Sequence, residues 1–193
     1  MLKTIPSKTK YLHSSIDMPN NFLSSLNGFD SKDDRIFIIK NDALTEKDLV
    51  VNKTKNIFLV YTDEMFLLYQ NISNLLKDAC NMYSIDTTKQ KYFIYGKVVQ
   101  YSLETNNHWY DFPGINKPFL HGFYFIDGQA EIFFQNNDKI ESKVIKQNDI
   151  IINKPTDLIK IKTDSTINVV EFYIAPTYML KYNQPGVWCP ILV

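Results

Sequence analysis

The chain is nearly without arginine: of its 21 basic residues only Arg35 is one, and 21 acidic residues balance them. A chain with no net charge has no long-range field to draw it to a phosphate backbone or an anionic bilayer, so nucleic-acid and membrane partners are disfavoured. Cysteine is scarce as well. Cys80 and Cys189 are the whole complement, too few for a disulfide framework and outside any CxxC spacing, which fits a reducing compartment. Six glycines leave no Gly-x-Ser-x-Gly elbow, phosphate-binding loop or glycine-rich dinucleotide turn, and the enzyme classes built on those motifs fall away. No apolar run approaches the ~18 residues of a membrane helix, and the stretch from Met1 to Pro6 lacks the apolar core of a secretory signal. A soluble protein is expected, cytoplasmic or carried in a virion.

What is present suits one domain, since 193 residues can bury a single sizeable core. Residues 1–34, rich in Ser, Asn, Asp and Lys, read as a polar N-terminal arm or edge segment with at most a short turn of helix, and His13 within it reads as a partnerless surface histidine. Residues 35–177 carry the folded domain behind an α/β lead-in. Arg35-Ile36-Phe37-Ile38-Ile39 predicts a strand, residues 45–49 a helical turn capped by Thr45, and residues 56–61 a second strand. From Thr62 and Asp63 the period changes. Phe66, Leu67, Ile72, Leu75, Leu76, Ala79 and Tyr83 recur at three- and four-residue spacing, which predicts one long amphipathic helix packed on a sheet.

Residues 91–103 predict a long strand with a bulge or bend at Gly96. Residues 119–126, the Asp127-Gly128 turn and residues 129–134 predict a hairpin. Shorter strands follow over 142–145, 150–152, 158–162 and 167–174, separated by turns at 147–149, 154–156 and 163–165. So many short strands behind one helix describe a mainly β fold with helical padding, a small antiparallel sandwich or barrel. Residues 178–193, with Trp188, Ile191, Leu192 and Val193, read as an apolar C-terminal tail, either a strap over the barrel or a subunit contact.

Chemistry concentrates in residues 108–126, where two of the three histidines, His108 and His121, flank Asp111 and a Pro113-Gly114 turn ahead of an aromatic strand. Imidazole and carboxylate presented from neighbouring strands suit iron, manganese or zinc. His108, Asp111 and His121 are therefore the candidate metal ligands, with Glu171 or Cys189 as substitutes. The alternative is that both histidines are core or rim residues hydrogen-bonded to Tyr110, Tyr124 or backbone, in an aromatic-rich packed sheet.

Over residues 60–175 the element order resembles the double-stranded β-helix of the cupin and 2-oxoglutarate/iron(II) oxygenase superfamily, in particular the short oxygenase-like proteins of bacteria and their phages. The resemblance rests on the helix, a histidine-bearing turn, the strand Gly122-Phe123-Tyr124-Phe125, the element from Asn148 to Pro155 and a closing strand from Asn168 to Ile174. It implies a jelly-roll barrel, an Fe(II) cofactor and 2-oxoglutarate as cosubstrate. The His-x-Asp ligand pair of that family is matched at His108 alone, because Tyr110 stands at the acid position and Asp111 one residue later. No histidine follows His121 to serve as the distal ligand. The arginine that would clamp the cosubstrate carboxylate is replaced at best by Lys160 or Lys162, with Tyr124 nearby on the aromatic strand as a further cofactor contact.

Two functions follow. One is an iron-dependent dioxygenase acting on a small molecule or a protein. The other is a non-catalytic barrel that assembles, through arm and tail, with copies of itself or with other virion or host subunits.

Overall fold

The computed structural model describes residues 11–25, 36–38, 56–59, 62–88, 91–106, 109, 120–136, 139–154, 158–179 and 188–193. Within them the elements run β1 (Tyr11–Ser15), α1 (Phe22–Ser25), β2 (Ile36–Ile38), α2 (Asp63–Met82), β3 (Tyr92–Tyr101), β4 (Leu120–Phe125), β5 (Gln129–Asn136), β6 (Lys139–Lys146), β7 (Asp149–Asn153), β8 (Leu158–Lys162), β9 (Ile167–Pro176) and β10 (Cys189–Ile191). A major sheet has the order β1-β7-β4-β9-β3-β10, with β2 also on β3, and a minor sheet has the order β6-β5-β8. The chain crosses from major to minor sheet after β4, returns after β6, crosses again after β7 and returns after β8. That winding is the expected double-stranded β-helix, a jelly roll.

The major sheet is buried on both faces, which is why β7 reads as the continuous run Ile150-Ile151-Ile152. Because side chains alternate along a strand, Ile94 and Val98 of β3 meet Phe172, Tyr124, Ile150 and Ile152 on the outer face, while Val99 and Tyr101 meet Phe123, Phe125, Ile151 and Val169 inside the barrel. Helix α2 covers the outer face with Leu68, Ile72 and Leu76. Thr62 starts it, its hydroxyl accepting from the Met65 N–H at 3.1 Å, and Asp63 and Glu64 in the first turn complement the helix dipole. Phe66 does not join the stripe as expected and is 62% exposed. It stands one residue, about 100° of helix, from the buried Met65 that sets the face.

Four other local expectations are corrected. Residues 57–59 form a 3-10 turn, not a strand. The Asn56 side chain takes the place of a strand neighbour, accepting from Phe58 N (3.1 Å) and Gly96 N (3.0 Å) and donating to the Ile94 carbonyl (3.0 Å). Gly96 marks no bulge, since β3 pairs with β9 without interruption from Tyr92↔Pro176 to Tyr101↔Ile167. It is glycine because the Phe58 ring lies where a Cβ would stand, 2.5 Å away. The Asp127-Gly128 turn is a corner between the two sheets, because β4 pairs with β7 and β9 and not with β5. Gly128 has φ +69°, a conformation costly for a residue with a Cβ, and Asp127 fastens the corner by accepting from Asn168 N and Nδ2, both at 2.7 Å.

His13 is the fourth. It lies half-buried on β1 opposite Ile151, with Nε2 3.2 Å from Asp149 Oδ2, because the polar arm contributes an edge strand. At the other end of the chain β10 pairs with β3, the Trp188 and Tyr95 rings lie 5.8 Å apart, and Tyr69 of α2 donates to the Pro190 carbonyl at 2.9 Å. This part of the tail is a strap. The helical turn expected over 45–49 lies outside the described residues, and no helix among the described residues is long and apolar enough to cross a membrane.

Candidate functional site: a buried polar cluster at one end of the barrel

Strand register stacks the inward side chains in rows. Tyr95 of β3 stands opposite Tyr173 of β9, which stands opposite His121 of β4, which stands opposite Asn153 of β7 and so Tyr11 of β1. One step deeper, Lys97 stands opposite Glu171, then Phe123, then Ile151. The next row, Val99, Val169 and Phe125, is hydrocarbon. On β3, β9 and β4 polar chemistry therefore occupies two rows at the end of the barrel where β4 begins, while at the β7–β1 edge Asp149 meets His13 at 3.2 Å.

Glu171 is the hub. Its Oε1 accepts from Tyr173 Oη at 2.7 Å and faces His121 Nε2 at 3.1 Å, while Oε2 lies 3.3 Å from Lys97 Nζ. All four residues are buried, His121 completely. A carboxylate only accepts, so His121 Nε2 carries the proton. The His121 ring stacks on Tyr173 at 4.8 Å and 13° and meets Phe123 edge-on at 4.4 Å.

Burial alone would push the Glu171 carboxyl up; the Lys97 ammonium, then His121 and Tyr173, outweigh it and hold it down at about 2. For His121 burial dominates, lowering its pKa despite Glu171, so the imidazole stays neutral. The Tyr173 phenol is pushed well up, by burial first and then by the Glu171 charge. At neutral pH the cluster is one cation, one anion and two neutral hydrogen-bond donors, which compensates its own charge.

Of the candidate ligands His108, Asp111 and His121, only His121 lies among the described residues. His121 faces the barrel interior, whereas His108 and Asp111 lie outside the described residues. Tyr124, one residue along β4 from Phe123, points to the outer face, where its hydroxyl donates to Asn148 Oδ1 at 3.0 Å and its ring meets Phe22 at 5.4 Å. Burial, with Asp127, pushes its pKa up. Lys160 and Lys162 alternate with the inward Ile159 and Ile161, so both point away from the barrel interior. Lys160 Nζ lies 4.8 Å from the Trp109 ring and 4.6 Å from Phe133 on the outside of the minor sheet. Neither lysine nor Tyr124 stands beside His121.

Among the described residues His121 stands beside one carboxylate, Glu171. The carboxylate that could join His121 is already engaged by an ammonium and a phenol, and no three His, Cys, Asp or Glu side chains gather as a metal site among the described residues. Sequence reasoning missed Lys97 and Tyr173 and gave Glu171 a minor place. The signal was available: each of Lys97 and Glu171 is a lone charge inside an apolar strand run, and buried opposite charges must meet.

No family model matches the chain, and no curated protein does. Among solved structures it is similar to a Lactobacillus farciminis oxalate decarboxylase in complex with formate, at 14% identity and TM-score 0.35, over 52% of this chain and 27% of that one. It is also similar to Streptomyces albus 2-hydroxyethylphosphonate dioxygenase with substrate and Fe(II) bound, at 9% identity and TM-score 0.36, over 48% of this chain and 22% of that one. A third is a Bacillus subtilis oxalate decarboxylase, at 14% and 0.34, over 44% and 24%. The chain thus spans about a quarter of the length of these proteins. Likeness of this size carries nothing about chemistry, and the jelly roll rests on the strand order itself.

Proposed function

We propose that the chain is a non-catalytic, cupin-like barrel that serves as an assembly module, its interior closed by a self-compensating cluster in the place where an oxygenase would keep a metal. One observation carries this reading: both oxygens of Glu171 are engaged, by Lys97 on one side and by His121 and Tyr173 on the other. A divalent cation there would have to displace an ammonium 3.3 Å from the carboxylate and stand beside its positive charge. Titration of the purified protein with Fe(II), Mn(II) or Zn(II) should give no saturable rise in melting temperature. A saturable rise that disappears in His121→Ala would overturn the reading.

The second reading is an iron(II) dioxygenase with His108, Asp111 and His121 as ligands and a cosubstrate carboxylate held by lysine. The observation in its favour is that His121 faces the barrel interior at the end where residues 107–119 join β4. It requires His108→Ala to abolish metal uptake without unfolding the protein, and unchanged metal content in that variant would remove it. A cytoplasmic or virion location belongs equally to either reading.

A further inference from the structure

Strand β6 is the edge of the minor sheet. Among the described residues it pairs only with β5, so its other side presents a row of unpaired backbone donors and acceptors. Natural edges are guarded by charge, and Lys139, Lys143 and Lys146 supply it here. Yet between the lysines Ile140 and Val144 stand 58% and 50% exposed, on the same outer face. Ser142 lies between them and donates to Glu131 Oε1 of β5 at 2.6 Å, which fixes the outer face of the strand.

The sequence of β6, Lys-Ile-Glu-Ser-Lys-Val-Ile-Lys, is complementary to itself in an antiparallel register that overlaps nearly the whole strand. Around a two-fold axis at Ser142, Ile140 faces Val144 and Glu141 faces Lys143, each pair occurring twice, while Lys139 faces Ile145. Every opposed pair is apolar, opposite in charge or harmless. Shifting the axis one residue either way sets Glu141 on Glu141 or Lys143 on Lys143, and like charges directly opposite are destabilising. A shift of two residues towards Lys139 sets Ile140 on Ile140 and Lys139 on Glu141 but leaves only three residues of the strand overlapping, and a shift of two the other way loses the charge pairs and the Ile140–Val144 pairs together. Charge thus closes the adjacent registers and leaves the longest clash-free overlap at Ser142.

We propose that β6 is a homodimer interface: a second copy of this chain pairs its β6 antiparallel about Ser142, so that two minor sheets become one continuous sheet. The interface is isologous, with the same patch used by both copies and closed symmetry that stops at two. It names the partner for the assembly reading and rests on that reading only in this respect. Metal titration can fail while dimerisation stands, and the reverse.

Sedimentation equilibrium of the full chain over a wide concentration range should show a monomer–dimer equilibrium. Lys143→Glu, which sets Glu against Glu141, should weaken it by about tenfold or more, with the melting temperature and circular dichroism of the monomer unchanged. The charge swap Glu141→Lys with Lys143→Glu restores the opposite-charge pairs and should restore the dimer. Should the single variant fold poorly, Ser142→Cys gives a second measure: residues at the axis approach within disulfide range, so mild oxidation should cross-link two copies, whereas Ile140→Cys should not. A monomer at all concentrations, a dimer indifferent to Lys143→Glu, a charge swap without rescue, or absence of the Ser142→Cys cross-link would each overturn the proposal.

Discussion

Along β3 the inward positions change character halfway. Val99 and Tyr101 meet Val169, Ile167 and Phe125, while Lys97 and Tyr95 meet Glu171, Tyr173 and His121. The first half of the barrel is held by removal of hydrocarbon from water, which is indifferent to which apolar side chain sits where, provided volume is kept. In the second half stability depends on matched partners, because each buried charge is tolerable only while the other is present. The same barrel therefore has one end robust to exchange and one end that is all-or-none. Adjacent rows differ although their strands, register and burial do not.

The largest effects should come from breaking each end. Glu171→Leu strands the Lys97 ammonium and should cost about 3–5 kcal/mol; Phe125→Ala at the apolar end should cost about as much, through lost burial and the cavity left behind. Urea denaturation of both variants measures this. The two ends part company in the next experiment. Adding Lys97→Met to Glu171→Leu should recover most of the loss, to within about 1–2 kcal/mol of the parent, whereas no single second change should rescue Phe125→Ala. A double variant as unstable as the single one would show that the pair is not the source of the penalty.

A smaller effect is read in acid. Glu171 is depressed in the folded state, from its ordinary 4.5 to about 2, so the stability it confers is complete above the unfolded value and is lost as pH falls from about 4.5 towards about 2. His121 adds in the same direction, since its pKa is lowered on folding and the unfolded chain binds the extra proton below about 6.5. Glu171→Gln should flatten the lower part of this decline, and a variant with the parent's acid profile would refute the assignment. At the far end of the scale, Phe66→Ser on the exposed face of α2 should change stability by less than about 0.5 kcal/mol, and a larger loss would mean that another surface covers it.

Legibility in the sequence followed how local the cause was. Helix α2 could be read because its cap Thr62 and its stripe lie within one stretch, and β7 because a run of isoleucines flanked by turn residues has few other uses. The 3-10 turn after Asn56 could not, since its cause is a hydrogen bond to Gly96, 40 residues on. The Asp127-Gly128 turn was found but its role was not, for a hairpin and a sheet-to-sheet corner use the same two residues and differ in the fold of Asn168. At the site, His121 was legible as a residue of consequence, and its partner was not: Glu171 is 50 residues away and reaches it only through the pairing of β4 with β9.

What the sequence by itself determined was the roll of short strands, its padding helix and the turns that punctuate it, because patterning of apolar residues and turn chemistry act over a few neighbours. Only the tertiary structure decided which face of each strand looks inward and therefore which polar groups share the interior. Register moves every side chain of a strand to one face or the other at a single step, and it is set by strands far apart in the chain. That choice placed Lys97 against Glu171 and turned Tyr124, Lys160 and Lys162 away.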